Sequence, residues 1–408
     1  MSIFIRAARA AALAITLLSA QVAYAAIDSD AAIVQLKVDC DGADNCFEDS
    51  ASLNSWISGT RQPSASAPLL VEIGPGRFGA LACVTYGHTT YRGSGIDSTI
   101  IGALEYTGSP NGILMTNCDE ATFESMTVQS TFAAVYSQGR GKTTWTNVDM
   151  VSNRFAWYDI GCIDFTTLEP VEQVHYFFSS RFRSLARGDA AVSDGTGMRV
   201  HCAENWIYGS DIVVSFEADP NMTAPTSYEN YVGIEIKEDG EVRLFGSSVR
   251  AVPGELDPNT EVEIQGVELI GHPSKSGTFH MHGGIISLSG AGLNDADLTA
   301  LDVGGTGVAH TPDTAYALIP AASGTNTRIK KASGAKASAP FQWPAGTTTP
   351  VPGLSTLDGS DTYLETDCDS TGDCDGAGSL IHQMVYNSAV CTTALWYDMT
   401  AGACRDGE

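Results

Sequence analysis

The chain has 408 residues, 22 Lys+Arg against 48 Asp+Glu, 42 Gly, 10 Cys and 43% hydrophobic residues. That length supports one large or two ordinary domains with a real core, and the hydrophobic share excludes general disorder. A net charge of −26 argues against nucleic acid as a partner, because phosphate binding needs clustered Lys and Arg.

Residues 1–25 read as an export signal. Arg6 and Arg9 supply the charged start, Ala10 to Ala20 is apolar, and Ala23-Tyr24-Ala25 gives the small-x-small cleavage site. No later stretch of about 20 apolar residues follows, which predicts a protein without a transmembrane segment, secreted to the periplasm or outside the cell. All ten cysteines lie beyond the cleavage site, which in an exported chain favours disulfides.

Residues 26–68 precede the repeat and are assigned to an N-terminal cap. They carry Asp39 to Cys46, DCDGADNC, a pattern that returns at Asp367 to Cys374 as DCDSTGDC. Each is expected to be a small acidic loop closed by a disulfide, Cys40–Cys46 and Cys368–Cys374. In the second copy Asp367, Asp369 and Asp373 are candidate calcium ligands, since Asp367-x-Asp369-x-Thr371-Gly372 matches the first half of a calcium loop. The chelating Glu expected later is absent, position 378 being Gly, and a solvated acidic loop is the plainer reading.

Six hexapeptides begin at Glu124, Thr146, Phe178, Tyr208, Phe245 and His282, spaced by 22, 32, 30, 37 and 37. Their fifth places are Val128, Met150, Phe182, Ile212, Val249 and Ile286, an apolar column. Their second places are small or Asn (Ser125, Asn147, Ser179, Gly209, Gly246, Gly283), suited to a tight bend. A second column opens at Gly112, Ala134, Ala156, Gly197, Gly233 and Gly266. It is expected to run upstream at the same offset of 22, with Tyr91 under Ile113 and Ile101 under Phe123. A unit of about 22 residues with short strands and bends cannot bury its own face, but coils stacked ~4.8 Å apart can. The expected architecture is all-β, a right-handed parallel β-helix of about nine to ten coils over residues 69–290.

LLVEIGPGRFGALACVTYGHTTYRGSGIDSTIIG, Leu69 to Gly102, resembles the opening of the pectin-lyase-like right-handed β-helix superfamily. The preceding Cys46 to Ser58, CFEDSASLNSWIS, resembles the helix that closes the end of such a coil. The resemblance implies the fold. It leaves activity open, because the superfamily contains lyases, hydrolases, epimerases, phage tailspikes and non-catalytic surface proteins. It also implies that substrates lie along the outward face of the first sheet.

Read outward, the second column gives Leu114, Tyr136, Tyr158, Arg199, Glu235 and Glu268. Two residues on stand Thr116, Gln138, Ile160, His201, Lys237 and Ile270. Tyr136, Tyr158, Gln138 and His201 are therefore candidate glycan-binding residues, since aromatic faces stack on sugar rings. Arg199 and Lys237 could pair with uronate carboxylates. Glu235 and Glu268 could act as acid and base of a retaining hydrolase. A calcium ion at that pair would instead suit a lyase with Arg199 or Lys237 as base. The structural alternative is a ladder of cross-strand ion pairs. Asp149, Arg181 and Asp211 read as a charge ladder, and His280 with His282 as solvated or capping residues in preference to a metal site.

Cys162 and Cys202 fall at nearly equivalent places on adjacent turns and are expected to pair. After Gly290 the repeat fades: residues 291–357 read as an irregular segment and linker. Arg328-Ile329-Lys330 matches a piece of polygalacturonases whose companion pieces are missing, and is read as coincidence. Residues 358–408, with Cys368, Cys374, Cys391 and Cys404, read as a small disulfide-rich module, with Cys391–Cys404 as its second bond. Two functions remain open: an exported protein that binds polysaccharide or cell-surface glycan, with lyase- or hydrolase-type cleavage left open, and a non-catalytic cell-surface or adhesion protein with the β-helix as stalk.

Overall fold

The structure is a computed structural model. It describes residues 32–84, 87–104, 111–161, 171–186, 195–217, 229–270, 277–332 and 335–338, and the backbone of four strands beyond 361. The expected export signal lies outside the described residues. The chain forms two compact units, Met1–Arg183 and Ser184–Glu408. Both are built as a parallel β-helix.

In the first unit, Ile33–Leu36 pairs in parallel with Leu69–Ile73, which pairs with Thr89–Gly93. Asp119–Ser130, Gly141–Ser152 and Gln173–Phe178 follow in the same sense. A second row stacks Leu81–Val84, Asn111–Thr116, Ala133–Gln138 and Phe155–Asp159. The 22-residue offset is the observed register there: Val128 pairs with Met150 and Glu124 with Thr146. It fails upstream. Tyr91 lies beside Phe123, Ile101 beside Val128, and Leu81 takes the place under Ile113. The early coils differ in loop length, so a fixed offset does not mark their register.

The six fifth-place residues are all fully buried. The second places share one conformation, with φ of 53° at Ser125, 54° at Asn147, 49° at Ser179, 55° at Gly209, 58° at Gly246 and 67° at Gly283. Each is a single left-handed residue that turns the strand, which explains the preference for Gly, Asn and Ser. The small residue opening the second column has a different cause. A Cβ on Gly233 would come within 2.4 Å of Val249 Cγ1 and 2.5 Å of the Gly266 carbonyl oxygen. The two columns therefore meet across the interior of each coil.

Aromatic residues stack in the first unit's interior: Tyr91 on Phe123 at 5.0 Å, and Phe123 on Trp145 at 4.0 Å. The expected capping helix is present at Ser50–Trp56, with Asp49 accepting from the Ser52 N–H. It buries Leu53 and Trp56. Asn54 donates to the Ala80 carbonyl and accepts from the Ala82 N–H, both at 3.1 Å, and so seals the edge of the first strand of the second row. Cys40–Cys46 forms as expected. A bond not foreseen, Cys83–Cys118, ties neighbouring coils.

In the second unit, Gly195–Val200, Glu229–Ile236, Val262–Leu269, Ala296–Val303 and Asn326–Lys331 form one parallel row. Glu241–Val252 and Thr278–Ser289 pair in the other row, which continues to Val308–His310, Ala315–Ile319 and Lys336–Ser338. The β-helix thus runs on beyond Gly290, where an irregular segment and linker were expected. The later coils keep the buried positions with less regular spacing: Ala300, Leu301 and Val303 are fully buried. Arg328, Ile329 and Lys330 lie on a strand, not in a linker.

Residues Thr362–Cys368, Leu380–Tyr386, Leu395–Asp398 and Ala403–Asp406 make a four-stranded antiparallel sheet. The side chains of Asp367, Cys368 and Cys404, and all of Asp369, Asp373, Cys374 and Cys391, lie outside the described residues, so the proposed calcium loop and terminal disulfides do too. Cys202 is disulfide-bonded; Cys162 is outside the described residues. No helix among the described residues is long and apolar enough to cross a membrane.

Candidate functional site

The row that opens at Gly195–Val200 presents alternate residues outward, because side chains alternate across a strand. The register places Arg199 beside Glu235, Glu235 beside Glu268, Glu268 beside Asp302, and Asp302 beside Lys330. Three carboxylates therefore stand on consecutive rungs, flanked by a cation at each end.

Their environments differ. Glu235 is 3% exposed. It accepts from Arg199 Nε on one oxygen, and the other lies 2.8 Å from Lys237 Nζ. Asp302 is bound by Lys330 Nζ at 2.8 Å. Glu268, between them, has no ion-pair partner among the described residues. Burial, followed by repulsion from Glu235, Asp302 and Glu263, pushes its carboxyl up to about 7. That places the change of protonation of Glu268 near neutral pH. His201 is pushed below the usual imidazole range, mainly by burial and then by the Lys237 charge.

This gathers Arg199, Glu235, Lys237 and Glu268 as expected, but separates their roles. Both oxygens of Glu235 are engaged by cations, so it is poorly placed to attack or to accept a further proton. The same contacts turn Lys237 and Arg199 toward Glu235 and not toward a substrate. Asp302 and Lys330 were missed because the repeat was taken to end at Gly290. The signal was present in Thr299-Ala300-Leu301-Asp302-Val303, which repeats the small-apolar-acid-apolar order of Gly266-Val267-Glu268-Leu269.

The other candidates stand in the first unit. Tyr136 and Tyr158 are register partners with rings edge-to-face at 5.5 Å, both half-buried. Gln138 donates to Thr116 Oγ1 at 2.8 Å. The aromatic step thus exists.

Two further groups of side chains are structural. Asp149 is wholly buried and held by Arg183 Nε at 3.0 Å and Arg181 at 3.4 Å. His282 stacks on Phe245 at 5.3 Å, and His280 on His310 at 5.0 Å with Glu241 3.9 Å away. No group of three or more metal-ligating side chains occurs among the described residues.

No family model matches the chain, and no curated protein matches it either. Among solved structures, the gp42 tailspike of Acinetobacter phage vb_AbaP_AS12 is similar at 10% identity and a TM-score of 0.33. The match covers 86% of this chain and 74% of that one. The A-module of the mannuronan C-5 epimerase AlgE6 of Azotobacter vinelandii is similar at 11% identity and a TM-score of 0.18, covering 75% of this chain and all of that one.

Proposed function

We propose that this is an exported protein that binds polysaccharide on the outward face of this sheet and hydrolyses a glycosidic bond with Glu268 as proton donor. The carrying observation is the row Glu235–Glu268–Asp302, in which, among the described residues, only the middle carboxyl lacks a cation. A carboxylic acid that titrates near neutrality can donate to a glycosidic oxygen. Asp302 supplies the second carboxylate, and a rung spacing of ~4.8 Å suits a retaining mechanism. Glu235, fixed by Arg199 and Lys237, is a positioning residue whose charge raises the Glu268 proton affinity. Tyr136, Tyr158 and Gln138 offer sugar contacts on the first unit. The disulfides Cys40–Cys46 and Cys83–Cys118 fit the oxidising compartment that export implies.

The pairing of Lys237 and Arg199 with Glu235 removes the base that a lyase would need, so hydrolysis is the better-supported chemistry. The test is reducing-end release and binding across a panel of polysaccharides, with Glu268→Gln and Asp302→Asn as comparisons. Release should fall by about a hundredfold or more in Glu268→Gln, with binding retained. Undiminished release in Glu268→Gln removes the assigned role. Binding without release by the natural sequence establishes the adhesion reading instead.

A further inference from the structure

A cavity of about 410 Å³ lies in the first unit, lined by Asp119, Arg140, Lys142, Val171, Glu172 and Val174 beside Gly141. Its volume is that of a small-ligand site. It opens at the turn that joins Ala133–Gln138 to Gly141–Ser152. Arg140 is four residues from Tyr136, at most ~13 Å along an extended chain. That turn is fixed by one side-chain and one backbone acceptor: the Arg140 N–H donates to Asn117 Oδ1 at 3.1 Å, and the Gly141 N–H to the Glu172 carbonyl at 3.2 Å.

Among the described residues neither Arg140 nor Lys142 forms an ion pair, although Asp119 and Glu172 line the same cavity. Lys142 is the register partner of Asp119 and still does not bind it. Two cations that line one concave site and have no ion-pair partner among the described residues are donors available to an anion. The two carboxylates are acceptors of the kind that sugar hydroxyls satisfy. Val174 offers an apolar wall. The chain's net negative charge does not forbid an anionic ligand here, because exposed charges beyond ~8–10 Å are screened.

We infer that this cavity binds one sugar unit bearing an anionic substituent, a carboxylate or a sulfate ester. Arg140 and Lys142 hold the anion, and Asp119 and Glu172 accept from its hydroxyls. The inference rests on the polysaccharide reading above and adds to it a substrate class, an acidic glycan.

The experiment is calorimetric titration of the full chain with glucuronate, glucose 6-sulfate and glucose, paired with retention of the protein on a panel of polysaccharides. At least one anionic sugar should bind about tenfold more tightly than glucose, and which one does names the substituent. Arg140→Gln/Lys142→Gln should abolish that preference, while Arg140→Lys/Lys142→Arg keeps it, both with unchanged thermal unfolding. Equal binding of all three sugars, or a preference that survives the double Gln variant, overturns the inference. Retention on a polysaccharide without anion preference sinks the cavity assignment alone. Anionic sugars bound in the cavity with no polysaccharide retained would leave it standing and remove the polysaccharide reading.

Discussion

Glu235 and Glu268 face each other across adjacent parallel strands, yet Arg199 and Lys237 both bind Glu235 and neither forms an ion pair with Glu268. That asymmetry divides two like side chains into one held by two cations and one whose carboxyl is pushed up to about 7. Removing Glu235 therefore affects both. Glu235→Gln leaves Arg199 and Lys237 without their shared carboxylate, and a broken buried pair costs about 3–5 kcal/mol. Urea unfolding should show the drop, and Arg199→Gln should reproduce part of it.

The pH dependence of stability has two opposed parts. Glu268 holds its proton more tightly folded, at about 7 against 4.5 unfolded, so its contribution declines as pH rises from 4.5 through 7. His175, fully buried with Nδ1 2.7 Å from Thr143 Oγ1, is depressed by burial to about 3. The unfolded chain binds a proton there below 6.5, so stability falls as pH drops from 6.5 toward 3. Thermal unfolding from pH 4 to 8 should show Glu268→Gln relatively stabilised at pH 8, and no such gain at pH 4.

Reducing the Cys83–Cys118 bond frees a 35-residue loop, for which loop entropy gives about 4 kcal/mol. Cys83→Ser/Cys118→Ser should lower the urea midpoint of the first unit. Removing Cys40–Cys46, six residues apart, should cost less.

The bend column predicts a side-chain-specific effect. Asn147 is exposed at φ 54°, so Asn147→Gly should be near neutral. Asn147→Val should cost about 1–2 kcal/mol, because a β-branched residue resists the left-handed region. Equal costs would show that this position does not need that conformation.

The sequence made the coils visible where buried residues recur on a common spacing, as at Val128 and Met150 or Val249 and Ile286. It did not reveal register where loops vary, as at Tyr91, nor the later coils, whose Ala300 and Leu301 continue the column at an offset of 34 residues from Gly266. Arg199, Glu235 and Glu268 were legible as neighbours because alternation fixes which residues face outward. Which carboxylates are paired with cations was not, since that depends on Arg199 and Lys330 reaching across rungs and on Lys237 turning back toward Glu235. The Arg140–Lys142 cavity had no sequence signal, because it arises from the turn that Asn117 and Glu172 hold in place.

The most direct test of the account is the titration of the Glu268 carboxyl, followed by NMR of the chain labelled at the glutamate side-chain carbon and assigned with Glu268→Gln. A midpoint near 7 that moves down in Glu235→Gln is the predicted result. A midpoint near 4.5 in the natural sequence would contradict it and leave the carboxylate row as an ordinary charged ladder.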